Sequence, residues 1–196
     1  MFLGSQNGQV FDWGSRLNVA ASIAESLAFM HEQLQEGGIA HGNLKSTNIL
    51  FNKNMEPCIS EYGLVAAQGQ DQSFLSQSDS FKSNASGGDG AYSTFKVDVY
   101  GFGVVLLELL TGKLVENNGF DLASWVHSVV REERTAEVFD RAVISEGASE
   151  ERMVNLLQVA LKCTNPSPFE RPAINQISAM INTIKEDEER SIISEP

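Results

Sequence analysis

With 196 residues, 42% of them apolar and 20% charged, the chain can bury one sizeable core and has the composition of an ordinary globular domain. Its formal net charge of −12 opposes binding to nucleic acid or to an anionic membrane surface, and it offers little long-range attraction for a polyphosphate. The two cysteines, Cys58 and Cys163, make no disulfide framework and suit a reducing compartment. The three histidines (His31, His41, His127) are scattered without metal-ligand spacing.

Residues 1–5 lack the basic and apolar regions of a signal peptide. Leu17, Ala20, Ala24, Leu27, His31 and Leu34 recur at helical spacing, which predicts a long amphipathic helix over 15–35, ended by Gly37-Gly38. Ile49-Leu50-Phe51 and Pro57-Cys58-Ile59-Ser60 read as two short strands around an Asn52-Lys53-Asn54 turn. Residues 68–90 are rich in Ser, Gln and Gly and poor in apolar side chains, so a long polar loop is expected there.

A second helix is expected over 95–111. Ten of the fourteen residues from 97 to 110 are apolar and they fall on every face, which places such a helix at the centre of a fold. Its run contains Glu108 and is too short to cross a bilayer. Amphipathic helices follow over 121–131, over 150–162 with Ser149 as N-cap, and over 172–185 with Pro172 in the first turn. Residues 186–196 form a charged tail expected to fray. The expected fold class is mainly α, with a short β-hairpin.

Four motifs carry a resemblance. "IAHGNLKSTNIL", "PCISEYGL", "KVDVYGFGVVLLELLTGK" and "NPSPFERPAINQI" stand in an order and at a spacing similar to the larger, C-terminal lobe of eukaryotic protein kinases. The pattern most resembles plant receptor-like kinases of the leucine-rich-repeat type whose kinase domains are inactive. The resemblance implies a helical C-lobe around a central buried helix with a short β-hairpin. It runs from about residue 12 to residue 185, within an expected partial kinase-like domain of residues 1–185 followed by the charged tail of 186–196. No Gly-rich phosphate loop and no Val-Ala-Ile-Lys-like strand precede residue 12, so the N-lobe is expected to be absent.

The departures from the family pattern bear on chemistry. In the family's catalytic loop, His-Arg-Asp-Leu-Lys-x-x-Asn, the Asp accepts the proton of the substrate hydroxyl. That position is Asn43, an amide of similar shape that holds no charge. Gly42 replaces the arginine that docks a phosphorylated loop. Lys45 and Asn48 match the family residues that hold the transferring phosphate and a metal ion. Glu61 replaces the metal-bridging Asp with a stem one methylene longer. Beside these roles stand plainer ones: Asn43 as a loop amide making local backbone bonds, Lys45 as a solvated or loop-bracing lysine, Asn48 with Glu61 as a weak remnant of a metal site.

The resemblance gives four residues structural roles. His41 packs beside Tyr62, and Asp98 accepts hydrogen bonds from catalytic-loop amides. Arg171 matches an arginine whose glutamate partner, in an Ala-Pro-Glu motif, is replaced by "NASGGDGAYSTF". Arg171 is therefore expected to pair with Glu108 or Asp98, or to face water.

The resulting expectation is a catalytically inactive kinase-like C-lobe that acts as a protein-interaction module in signalling, with no cofactor. Its expected partner is another protein, with another receptor-like kinase as the candidate. It would lie in the cytoplasm, or at the cytosolic face of the plasma membrane within a full receptor. Two alternatives stand beside it. One is a piece of an active Ser/Thr receptor-like kinase that uses Mg·ATP once an N-lobe is present. The other is a truncated remnant without function.

Overall fold

The computed structural model describes residues 11–64, 89–115 and 121–194. Helix α1, Trp13–Leu34, starts where the Asp12 carboxylate accepts a hydrogen bond from the Ser15 amide at 2.7 Å. Its apolar stripe of Leu17, Ala20, Ile23, Ala24 and Leu27 is fully buried. The chain turns at Gly38, in the left-handed region, and runs through a loop and a short 3₁₀ turn, Ser46–Asn48. Strands β1, Ile49–Phe51, and β2, Pro57–Ile59, then pair antiparallel with Ile49 opposite Ile59. The hairpin alternates as a sheet with one covered face should: Ile49 is buried, Leu50 exposed, Phe51 half-buried.

Helix α2, Asp89–Thr111, is the axis of the molecule. Phe102, Val105, Leu106 and Leu107 are wholly buried, as expected for a helix surrounded by other elements. It begins earlier than the predicted residue 95. The polar loop predicted over 68–90 lies outside the described residues up to 88, and its last two residues form the first turn of α2. The rest of the chain wraps this axis as α3, Leu122–Arg131, the short α4, Arg141–Ser145, α5, Glu150–Cys163, and α6, Ile174–Ser194. The most extensive packing joins α1 to α6 and α2 to α5.

Two glycines let α2 approach its neighbours this closely. A Cβ on Gly103 would lie 2.6 Å from the Cβ of Cys163, and one on Gly101 would lie 2.4 Å from the Leu44 carbonyl oxygen. Both distances are too short for real atoms, so α2 approaches α5 and the loop before β1 through bare backbone.

Two expectations need correction, and one short helix was not expected. Ser149 occupies the N-cap position of α5, but its side chain makes no capping bond; Glu150 and Glu151 supply the favourable charge at that end instead. Helix α4 went unforeseen, because five residues carry too little periodicity to be seen. The last helix does not end near residue 185 in a fraying tail: it continues to Ser194. Its extension is held from outside, since Glu188 accepts from the Trp13 indole at 3.0 Å and from Arg152 at 3.1 Å. Among the described residues no helix is long and apolar enough to cross a membrane.

Candidate functional site

The loop over residues 39–48 is built around a carboxylate that belongs to α2. Asp98 is wholly buried; its Oδ1 accepts from the Gly42 amide at 2.7 Å and its Oδ2 from the His41 amide at 2.8 Å. The His31 ring, on α1, lies 3.0 Å from the same Oδ2 and packs on Phe95 with centroids 4.6 Å apart. One side chain thus joins α1, the loop and α2. Such an acid in an apolar interior needs these donors, because an unpaired buried charge is strongly unfavourable.

His41 fixes the loop from the other side. Its Nε2 lies 2.9 Å from the Ser60 carbonyl oxygen, while its Nδ1 accepts from the Asn43 amide at 3.3 Å. A carbonyl accepts only, and an amide N–H donates only, so the pair of contacts selects the neutral ring protonated on Nε2. Tyr62 packs edge-on against this ring at 5.4 Å and donates from its hydroxyl to the Ile39 carbonyl at 3.4 Å. Burial, with the Asp98 charge second, pushes the Tyr62 phenol up to about 12.

Within this frame the candidate chemical residues are held unequally. Asn48 is buried, and its Nδ2 donates to the Asn43 carbonyl at 3.0 Å, closing the loop on itself. Ser60 donates from both its amide and its hydroxyl to the Asn48 carbonyl at 2.9 Å, which ties the residue before Glu61 to Asn48. Glu61 is exposed and its φ of +62° is in the left-handed region, uncommon for a residue with a side chain. Asn43 and Lys45 are exposed. The Asn43 amide side chain makes no hydrogen bond to another described residue, so its backbone, rather than its side chain, carries the local bonding.

In kind, the oxygens of Asn48 and Glu61 fit a divalent cation: one carboxylate and one amide, both hard donors. In number they leave most of an octahedral shell to water or phosphate. No group of three His, Cys, Asp or Glu side chains gathers among the described residues.

Arg171 corrects an expectation. It pairs with neither Glu108 nor Asp98, and it does not face water. It is buried, donating to the carbonyls of Lys96 and Asn165 at 2.8 Å each, with its guanidinium over the Tyr100 ring at 4.8 Å. Lys96 donates back to the Arg171 carbonyl. Backbone carbonyls and an aromatic face disperse the charge, with no carboxylate paired to it among the described residues. Two participants escaped the sequence reading. His31 figured only as one member of a helical stripe, although a histidine on an apolar face signals a buried acceptor. Glu108 figured as an obstacle to a membrane span and as a candidate partner of Arg171, whereas its carboxylate accepts from the Val115 amide at 2.7 Å.

Comparison with known proteins places this geometry. The protein kinase domain family matches residues 4–181. A probable leucine-rich repeat receptor-like protein kinase of Arabidopsis thaliana is 40% identical over 182 residues, which cover 89% of this chain and 27% of that protein. A probable inactive receptor kinase of the same plant is 37% identical over 184 residues, covering 91% of this chain and 28% of that protein. The chain thus spans little more than a quarter of these relatives. Among solved structures, the pseudokinase domain of BIR2, an immune regulator of the RLK/Pelle family, superposes with a TM-score of 0.75 at 29% identity, over 95% of this chain and 56% of that one. The fold is that of a protein kinase C-lobe, helices around a buried axis with one short hairpin. The chain belongs to the protein kinase domain family.

Proposed function

We propose that the chain is a catalytically inactive kinase-fold module that works by binding another protein. The observation that carries this reading is Asn43. It stands where the family places its proton-accepting aspartate, on a loop held in shape by Asp98, His41 and Asn48, and it is exposed with no charge to offer. A general base contributes about 10²–10⁴-fold where it operates, and an amide cannot take that part. The frame is kept while the acid is lost. That combination agrees with relatives named inactive receptor kinases and with the BIR2 pseudokinase domain.

Should a magnesium nucleotide bind, Asn48 and Glu61 are the residues that would hold the cation, whose charge would offset that of the phosphates. The decisive assay fuses the chain behind the nucleotide-binding lobe of an active relative and supplies labelled ATP, Mg²⁺ and a generic protein substrate. No incorporation is expected from the natural sequence. Incorporation that disappears on Lys45→Met would overturn the reading.

The contact surface is the hairpin side, where Leu50, Met55 and Leu64 are between two-fifths and just over half exposed. Exposed apolar side chains that adjoin one another are the usual material of a binding site. Phe51 and Ile59 are less suited to probe it, because both pack against the core and Phe51 lies 5.5 Å from the Phe11 ring. The partner we propose is another receptor-like kinase, met in the cytoplasm or at the cytosolic face of the plasma membrane. Leu50→Glu with Leu64→Glu should abolish its capture while leaving the melt nearly unchanged; capture that persists would exclude this surface.

A further inference from the structure

A cavity of about 560 Å³ opens where the last two turns of α1, the N-terminal half of α2 and the start of α6 meet, and no residue of the loop over 39–48 lines it. Sites for small molecules span about 300–1,000 Å³, so the space is of their size. Phe29, Val99, Pro172 and Ile174 supply apolar wall, and Phe95 adds a half-buried ring. Phe29 is 63% exposed, so it gains cover from whatever enters.

The fold leaves one polar atom of this wall unused. The His31 side chain, which lines the cavity, is 10% exposed, and its Nε2 lies 3.0 Å from the Asp98 carboxylate. That oxygen already accepts from the His41 amide, so Nε2 is the ring nitrogen that carries the proton. In the neutral ring Nδ1 is then an acceptor, and it makes no hydrogen bond to another described residue. The wall also holds one side chain of each charge: Lys96, which donates to the Arg171 carbonyl, and exposed Glu32. An ion of either sign would meet a like charge there, which favours a neutral ligand.

We propose that this cavity binds a neutral aromatic alcohol, with the hydroxyl donating to His31 Nδ1 and the ring system lying against Phe29 and Phe95. Contacts between rings add to what area burial alone supplies, so an aromatic body suits these walls better than an aliphatic one. A hydroxyl is preferred to a ring N–H because its oxygen also accepts. The Ile174 and Asn175 amides, in the first turn of α6, have no intrahelical acceptor and belong to residues of the same wall.

The same group arrives on a free aromatic alcohol or on a tyrosine of a partner protein. In the second case the inference rests on the contact-module reading and names a side chain that the partner must present.

The test titrates the full chain with β-naphthol, read by its own fluorescence, and with its methyl ether, at about pH 8, where an ordinary imidazole is neutral. β-Naphthol should saturate one site and bind about three- to tenfold more tightly than the ether, the worth of one neutral hydrogen bond. His31→Phe keeps a ring without the acceptor and should erase that preference. Ala173→Trp, at an exposed position of the wall, fills the space and should abolish binding of both probes while keeping a cooperative melt. A short peptide with one tyrosine among small neutral residues is then used to compete with β-naphthol. Displacement would assign the partner-borne side chain; its failure would assign the free alcohol.

Equal affinity for β-naphthol and its ether, binding that survives Ala173→Trp, or no saturable binding would overturn the proposal. His31→Phe also gives up the Asp98 contact. If it fails to fold, the preference of the natural chain and its loss in Ala173→Trp decide. None of these readouts depends on capture through the Leu50 and Leu64 surface, so their failure would remove this cavity and leave the contact module standing.

Discussion

Asp98 shows how much can rest on one side chain. It satisfies two loop amides and meets a histidine from another helix, and its carboxylate is wholly buried. Asp98→Ala would leave both amides unpaired in the interior. Each such orphan costs about 1–3 kcal/mol, so the substitution should rank among the most destabilising in the chain, read from the denaturant midpoint. A loss below about half a kilocalorie would mean that water reaches the site.

Glu108 gives a pH-dependent companion. Burial holds its carboxyl pKa above the ordinary 4.5, so in the folded chain it keeps its proton after the unfolded chain has released it. The contribution is therefore present below the unfolded value and is lost as pH rises through the raised folded value. Glu108→Gln lacks that loss. The stability of the variant relative to the natural chain should therefore climb with pH from about 4.5 and then level off, in denaturant melts taken across the range. A difference that stays flat would show the carboxylate to be hydrated.

Helix α2 was legible in the sequence because ten apolar residues in fourteen exceed what one face can hold. What its glycines do was not legible. Gly103 and Gly101 are small because α5 and the Leu44 carbonyl stand where their side chains would be. Gly103→Val should force α2 and α5 apart and cost about 1–3 kcal/mol or more, as overpacking does. The melting temperature checks it, and an unchanged value would mean that the contact yields without strain. The caps divide in the same way. Asp12 and Asp121 each accept from the amide three residues on, whereas Ser149, equally plausible on paper, does not.

At the level of the whole chain, the last helix closes the fold against the first. Trp13 and Arg152 both donate to Glu188, and Arg152 also reaches the Asp187 carbonyl. Removing residues 186–196 should therefore destabilise the domain by about 1–3 kcal/mol for the lost hydrogen bonds to a charged group. Circular dichroism melts of the shortened chain test it; an unchanged midpoint would return these residues to the status of a tail.

By itself the sequence determined the family, the central helix, the hairpin, and the loss of charge at position 43. These are written in local periodicity, in motif order, and in the identity of single residues. Tertiary structure alone decided the rest: that Arg171 settles on backbone carbonyls, that His31 joins Asp98, that the last helix runs on to Ser194, and that Glu108 is buried against the Val115 amide. Such outcomes depend on which groups distant segments bring within hydrogen-bond reach. A buried charge takes whatever donor or acceptor the packing places beside it, and neighbours in the chain do not reveal which that will be.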